Sequence, residues 1–320
     1  MSTGKRLNVL VTGAGTVTAG NVIKALNDAG GFRVISTDIN KREFVAYAYF
    51  SDKFYRVPRG DDKRYIARLI WIVKKEKVDV LIPIVDEELM PVSKSKKRFK
   101  GLGAAVVISG PKAIELCADK YKTYRFLNKH GFFTAPTYLP AQRHRLRRSD
   151  FPMMLKPRSG KGSVGLYKVF DSGGLTSLLR REKNVVIQKF ISGPEYTVDT
   201  FSDKRGNLRV AVPRLRIETK AGVSYKGETV SDRCLIKAAA RIVKLFGIIG
   251  PANIQCIKTK GRFCFIEVNP RFSGGLALTV KAGVNTPLMA VDLALGRQIR
   301  GAADFKAGLK MVRYVREIFF

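Results

Sequence analysis

The sequence predicts an α/β protein whose second half turns α+β. Three observations predict it. Apolar strands alternate with helical stretches through the first hundred residues. The first strand runs into the glycine-rich turn VTGAGTVTAG, Val11–Gly20, and a helix follows. From Phe151 onward the pattern changes to short strands joined by Gly-, Ser- and Lys-containing turns, the mark of antiparallel hairpins.

Each element follows from its own residues. Leu7–Val11 reads as a strand, Gly20–Ala29 as a helix and Arg33–Thr37 as a second strand. Arg64–Lys75 is helical, and Val78–Ile84 and Ala104–Ile108 are continuous apolar strands of the kind a parallel sheet buries on both faces. Gly110-Pro111 marks a domain boundary, and Pro111–Gly131 reads as one helical segment. Thr134–Pro140 is a proline-punctuated connector and Gln142–Asp150 a basic loop. The stretch FPMMLKPRSGKGSVGLYKV reads as a hairpin, and VVIQKF, EYTVDTFSD and LRVAVPRLRIE as strands. Ser231–Phe246 is a helix with one apolar face, PANIQCIKTKGRFCFIEVNP a hairpin turning at Lys260-Gly261, and Pro287–Gly296 the last clear helix.

Composition narrows the function classes. The chain has 320 residues, 45% of them hydrophobic, with mean hydropathy −0.06. That is long enough for two domains with substantial cores, and it argues against disorder. No apolar run approaches a membrane span and the first residues are polar, so a cytoplasmic protein with no membrane partner is expected. The four cysteines are scattered and only two histidines occur, which disfavours zinc sites, disulfide frameworks and His-based triads. The net charge of +33 is the unusual quantity. Such a surface attracts polyanions and is expected to bind nucleic acid only non-specifically, at low salt; the alternative is a plain solvated basic surface, since the charges are spread along the whole chain.

Three stretches carry chemistry. In the opening turn Gly13 and Gly15 fit a dinucleotide fingerprint and Asp38 ends the second strand, but the third glycine position holds Thr18. A nicotinamide site, a plain structural turn and a general anion site at a helix N-terminus all remain open there. In FCFIEVNPRFSGG, period-two alternation puts Glu267 and Asn269 on one strand face, and NIQCI puts Gln255 on a neighbouring one. Hard oxygen ligands in that arrangement suit Mg²⁺, and Arg271 follows them, placed to hold a phosphate. A structural hydrogen-bond network is the alternative. In MLKPRSGKGSVG, Lys156 precedes a loop, Ser159–Ser163, that can cover phosphates or be an ordinary solvated turn. In VIQKFISGPEYTVD, a strand edge and Glu195 can meet a purine and its ribose, or Glu195 can be a surface residue.

Taken in order, DK, MLKPRSGKGSVG, VIQKFISGPEYTVD, PRLRIETKAGVSYKG, NIQC and FIEVNPRFSGG resemble the ATP-grasp superfamily. The flavour is that of carbamoyl-phosphate-synthase-like carboxylate–amine ligases. VTGAGTVTAGNVIKAL, STDIN and VDVLIPIVDEEL resemble the domain that precedes the ATP-grasp unit, so the likeness covers roughly residues 7 to 300. The resemblance implies a Rossmann-like pre-ATP-grasp domain over 1–110 and an ATP-grasp domain over 111–305. The latter divides into a small lid subdomain, about 134–190, and a metal and phosphate subdomain, about 191–305. Residues 306–320 are then a C-terminal tail.

The resemblance also implies roles. Lys120 and Lys156 contact ATP phosphates, and Ser159, Gly160, Lys161, Gly162 and Ser163 fold over them. Gln188, Lys189, Phe190 and Ile191 form the adenine hinge, and Glu195 holds the ribose. Gln255, Glu267 and Asn269 bind two Mg²⁺ or Mn²⁺ ions. Gln255 stands where many ligases carry an acid, a variation that the carbamoyl-phosphate-synthase-like group shares. Arg271, with Arg214 or Arg216, steadies the transferring phosphoryl group, and Lys226 is a weaker candidate. Gly13, Gly15, Asp86, Glu87 and Glu88 fall on the substrate side, although the three acids also suit the start of a helix. The implied reaction activates a carboxylate with ATP and joins it to an amine, with release of ADP and phosphate. The charge suggests an anionic or carrier-bound substrate, and the family often forms homodimers, though no interface signature is present. The rival readings are a non-catalytic nucleotide-binding protein with a polyanion-binding surface and, behind it, an NAD(P)-dependent oxidoreductase.

Overall fold

The structure, a computed structural model, describes residues 6–160, 164–299 and 304–319. It opens with β1 (Leu7–Val11), α1 (Val17–Ala29), β2 (Phe32–Asp38), β3 (Lys53–Arg56), α2 (Tyr65–Glu76), β4 (Val80–Ile82), α3 (Asp86–Lys94), α4 (Lys96–Gly101) and β5 (Ala105–Val106). Their strands form one parallel sheet in the order β3-β2-β1-β4-β5. β1 is apolar on both faces because both are covered. Val9 and Val11 face a core shared with α1, and Leu10 faces one shared with α2 and α3. The sheet order reverses between β1 and β4, and the loops leaving those two strands begin α1 and α3. This switch point is where such sheets bind ligands.

α1 begins three residues before the expected Gly20. Thr16 stays extended and its hydroxyl accepts from Ala19 N, so the cap starts the helix there. The single helix expected over Pro111–Gly131 is two, α5 (Pro111–Ala118) and α6 (Lys120–Lys129). Asp119 breaks them. Its backbone is extended, its carboxylate caps α6 through Tyr121 N and Lys122 N, and Arg158 holds its other oxygen at 2.7 Å.

Next come β6 (Thr137–Tyr138), β7 (Met153–Pro157), β8 (Tyr167–Val169), α7 (Ser172–Arg181) and β9 (Val185–Lys189). The strands make an antiparallel sheet, β6-β9-β7-β8. Asp171 caps α7, which lays Leu175, Leu178 and Leu179 over Met153, Leu155 and Val169.

The rest is β10 (Glu195–Ser202), β11 (Leu208–Lys220), β12 (Val223–Thr229), α8 (Arg233–Phe246), β13 (Gly250–Thr259), β14 (Arg262–Asn269), α9 (Leu276–Lys281), α10 (Thr286–Ala294) and β15 (Lys310–Val312). The six strands order as β14-β13-β10-β11-β12-β15. α8 buries Leu235, Ala239, Ile242 and Val243 against Val198, Ala211 and Ile254 on one face of this sheet. The segment expected as a tail, 306–320, instead supplies the edge strand β15. Among the described residues no helix is long and apolar enough to cross a membrane.

Candidate active site

The free face of the six-stranded sheet looks across a cleft of about 600 Å³ to β7 and β9, and the starts of α1 and α3 form its far wall. Strand register builds the polar floor. Glu267 on β14 stands opposite Gln255 on β13, which pairs with Thr197 on β10, which pairs with Arg214 on β11. The next row reads Asn269, Asn253, Asp199. The row on the other side pairs Glu195 with Arg216. Alternation with period two therefore stacks three carboxylates, three amides and two guanidinium groups on one surface, while Val198, Ile254 and Val268 point into the core behind it.

Hydrogen bonds fix the orientation of these groups. Asn269 donates Nδ2 to Asn253 Oδ1 at 3.2 Å, and Asn253 donates its own nitrogen to Arg271 O. Asn269 thus presents its amide oxygen beside Glu267 and Gln255. Arg214 is 1% exposed and holds Asp199 through two bonds of 2.9 and 2.8 Å; Ser273 Oγ accepts a third at 2.9 Å. Thr279 donates to the same Asp199. Among the described residues Arg214 Nη1 is buried without a hydrogen-bond partner. Arg216 bridges Glu195 at 2.5 Å and Gly222 O at 2.8 Å, and its Nε has no partner. Burial pulls the Arg216 guanidinium below its ordinary value, partly offset by Glu195. Unsatisfied buried donors facing a cleft are sites where an anion gains most.

On the opposite wall Lys156, on β7, is buried and donates to Gln188 Oε1 at 2.7 Å, while Gln188 donates to Thr137. Desolvation pulls the Lys156 ammonium down to about 8, against the opposing pull of Glu267. Lys120, the first residue of α6, reaches Gly160 O at 2.8 Å. Lys189, Phe190 and Ile191 leave β9 along the cleft edge, with Lys168 Nζ 3.9 Å above the Phe190 ring. Met154, Ile257 and Ile266 give the same end an apolar lining.

Arg271 closes the site toward the N-terminal sheet. It grips Asp86 at 2.6 and 2.8 Å. Burial alone would lower its guanidinium, but the Asp86 charge and hydrogen bonds outweigh it and hold it above its ordinary value.

The structure gathers Lys120, Lys156, Gly160, Gln188–Ile191, Glu195, Arg214, Arg216, Gln255, Glu267, Asn269, Arg271 and Asp86 around one cleft. Other expected residues stand elsewhere. Lys161, Gly162 and Ser163 lie outside the described residues. Ser159 and Glu87 are not among the cleft-lining residues. Lys226 points to Glu218 at 2.8 Å instead. Gly13 and Gly15 shape the turn rather than line the cleft. Gly13 has φ +64°, and a Cβ there would meet Val85 at 2.8 Å. Gly15 N donates to Asp38 Oδ2 at 2.7 Å, so the acid that a nicotinamide ribose would need is spent on the turn itself. Glu88 is fully buried. It accepts from Ile84 N and Val85 N at 2.8 Å, from Thr12 Oγ1 and from Tyr65 OH, and it cannot reach substrate.

Sequence reasoning missed Asp199, Ser273, Gly274 and Gly275. The signal for Asp199 was present: it follows Glu195 and Thr197 at period two. Gly275 needs to be glycine because a Cβ would sit 2.1 Å from Arg214 Nη1. Thr16–Thr18, at the start of α1, also line the cleft.

Comparison with known proteins agrees with this geometry. A family model described as "ATP-grasp in the biosynthetic pathway with Ter operon" matches residues 181–317, and one described as "PylC-like, N-terminal domain" matches 9–107. The carbamoyl phosphate synthase large chain of a Thermoanaerobacter strain is 30% identical over 177 residues, covering 50% of this chain and 16% of that one. That of Clostridium acetobutylicum is 23% identical over 326 residues, covering 91% of this chain and 29% of its own. This chain therefore spans under a third of either relative. Among solved structures, the biotin carboxylase domain of Hydrogenobacter thermophilus 2-oxoglutarate carboxylase, in complex with MgADP, ADP and bicarbonate, superposes with TM-score 0.75 at 18% identity, over 95% of this chain and 73% of that one. The L-amino acid ligase of Bacillus licheniformis gives 0.70 at 19% identity, over 94% and 78%. Residues 181–317 match the ATP-grasp family model, and the chain shares the fold of these solved structures. Its relatives by sequence include carbamoyl phosphate synthase large chains.

Proposed function

We propose that the protein is an ATP-dependent carboxylate–amine ligase. One observation carries the reading. The cleft lining combines Lys120, Lys156, Arg214, Arg216 and Arg271 with the row Gln255, Glu267 and Asn269, and it contains no histidine or cysteine among the described residues. That set suits charge neutralisation and positioning of a phosphoryl group, and it provides neither a His general base nor a thiol nucleophile.

In the proposed reaction a substrate carboxylate oxygen attacks the γ-phosphorus of ATP, and the bond to the β–γ bridging oxygen breaks to release ADP. The amine nitrogen then attacks the acyl carbon of the acylphosphate, phosphate leaves, and the amine proton passes to solvent or phosphate. Lys156 and Lys120 hold the phosphate chain from one wall. Arg216 and Arg271 stand against the transferring group from the other. Glu195 receives a ribose hydroxyl, and the residues after β9 receive the adenine edge through their backbone. The donor set fits a hard divalent ion. Glu267 is a carboxylate and Gln255 lies directly opposite it, while the Asn253 bond turns the Asn269 oxygen toward the cleft. Two Mg²⁺ or Mn²⁺ ions held there with ATP oxygens would supply charge neutralisation on the phosphates. The starts of α1 and α3 and the Ser273–Gly275 loop face the acceptor.

The test couples binding to turnover. Melting is followed with ATP and Mg²⁺, then ADP release is measured across amino acids paired with amines. An ATP shift with substrate-dependent ADP release supports the ligase. An ATP shift with no release on any acid–amine pair favours the non-catalytic nucleotide-binding reading. A shift with NAD(P)H and none with ATP overturns both.

A further inference from the structure

A strongly basic stretch of this chain lies beside the cleft. Between Pro111 and Gly160 there are eleven lysines and arginines against three acids. All three acids are engaged within the segment. Glu115 pairs with Lys122 at 2.5 Å, Asp119 caps α6 and pairs with Arg158, and Asp150 accepts from Arg147 N at 2.7 Å. Among the described residues, the exposed Arg125 and Lys129 of α6 do not pair with a carboxylate. Neither do Arg143, Arg145, Arg147 and Arg148 in the short helical turns beside it. The two elements meet where Tyr121 Oη donates to Gln142 Oε1 at 3.3 Å.

This face is also shaped. A shallow open groove of about 730 Å³ runs along α6, with Leu116, Phe126 and the Tyr121 ring as floor and Lys122, Arg125, Lys129 and Arg158 as rim. A basic rim around an apolar floor matches a chain that offers carboxylates with aliphatic or aromatic side chains between them. A phosphodiester backbone would use the rim and leave the floor uncovered. The groove begins next to the cleft in sequence: Lys120 lines one, and Tyr121 and Lys122 the other.

We propose that the α6 groove and the adjoining Arg143–Arg148 turn dock an acidic protein partner at the phosphate end of the cleft. Like charges at this density repel one another, and a complementary acidic surface relieves that repulsion while its side chains cover the groove floor. The proposal does not depend on which reaction the cleft performs.

The test uses the full chain and a fluorescein-labelled peptide of alternating Glu and Leu, with fluorescence anisotropy as the readout. The double variant Arg125→Glu/Lys129→Glu removes the rim, and Lys63→Glu/Lys74→Glu makes the same change of charge around α2, which lies against the N-terminal sheet. A single-stranded oligonucleotide of the same net charge is the competing probe. The proposal expects peptide affinity to fall about tenfold or more in the rim variant and less than about threefold in the α2 variant, with the ATP-induced melting shift kept in both. Equal losses in the two variants would show attraction to overall charge and overturn it. So would tighter binding of the oligonucleotide than of the peptide with the same dependence on Arg125 and Lys129. A parent protein that does not bind the peptide at low salt would overturn it as well.

Discussion

Arg271 and Asp86 are joined by two parallel hydrogen bonds across 185 residues of sequence, Nε to Oδ1 at 2.6 Å and Nη2 to Oδ2 at 2.8 Å. The pair ties the turn after β14 to the first residue of α3, and so links the floor of the cleft to its far wall. Only a planar fork makes both bonds. Arg271→Lys is expected to keep the fold and the ATP-induced melting shift, and to lower ADP release by about a hundredfold. Steady-state kinetics with ATP as the varied substrate check it. Unchanged kcat would remove Arg271 from the reaction.

Lys156 gives a prediction with a sign. Burial lowers its ammonium to about 8, below the ordinary lysine value. Between those two values the unfolded chain binds more protons than the folded one, so the Lys156 contribution to stability becomes more favourable as pH rises through that window. Below it the buried charge is a constant cost. Lys156→Met is therefore expected to melt above the parent at about pH 7 without nucleotide, and to lose the ATP-induced shift. ATP affinity of the parent should fall as pH passes about 8, because the neutral amine is a poor phosphate ligand. Melts at about pH 7 and about pH 9.5, with and without ATP and Mg²⁺, decide it.

Gly275 is held against a guanidinium. A methyl group there would meet Arg214 Nη1 at 2.1 Å, and Arg214 is too buried and too firmly paired with Asp199 to yield. Gly275→Ala is expected to cost about 2–3 kcal/mol. Asp199→Asn, which leaves the guanidinium without its counter-charge, should cost about 3–5 kcal/mol. Urea unfolding measures both, and a loss under about 0.5 kcal/mol in either would contradict the packing described.

Glu88 predicts the opposite pH slope to Lys156. Burial raises its carboxyl above the usual glutamate value even though four donors surround it. From the unfolded value up to that raised value the folded state binds more protons, so the Glu88 contribution becomes less favourable as pH rises. Glu88→Gln keeps an oxygen for Ile84 N and Val85 N and carries no charge. It is expected to match or exceed the parent in stability near pH 7 and to flatten the slope in that window. Denaturant titrations across the acid range test this.

Much of the cleft floor was legible from spacing. Glu267 and Asn269 lie two apart, as do Asn253 and Gln255, and strand register sets the two pairs opposite one another. The glycine turn misled in an instructive way. Two glycines and a downstream acid satisfy a dinucleotide fingerprint, but Asp38 closes the turn by accepting from Gly15 N, a tertiary bond that no local pattern reveals. Glu88 misled likewise: within DEE at the start of a helix three acids look equivalent, and only packing against Thr12 and Tyr65 separates the buried one from Asp86. The helix break at Asp119 is a local cap, its carboxylate accepting from Tyr121 N and Lys122 N, and Arg158, 39 residues away, adds a tertiary bond that the local sequence does not reveal.

The edge strand β15 has a consequence for the cleft. Arg313, one residue beyond β15, donates to Ser224 O at 2.9 Å and to Gly274 O at 2.6 Å, and Asn21 of α1 donates to that same Gly274 carbonyl. The two cleft-lining segments are thus pinned by the residue that follows β15. Without β15 the parallel sheet and both sides of the cleft would still be present, but β12 would have a bare edge. An unpaired edge is a template for the wrong partner. β15 therefore works as a clasp: lifting it off β12 would expose that edge and free the carbonyls of Ser224 and Gly274 in the same motion.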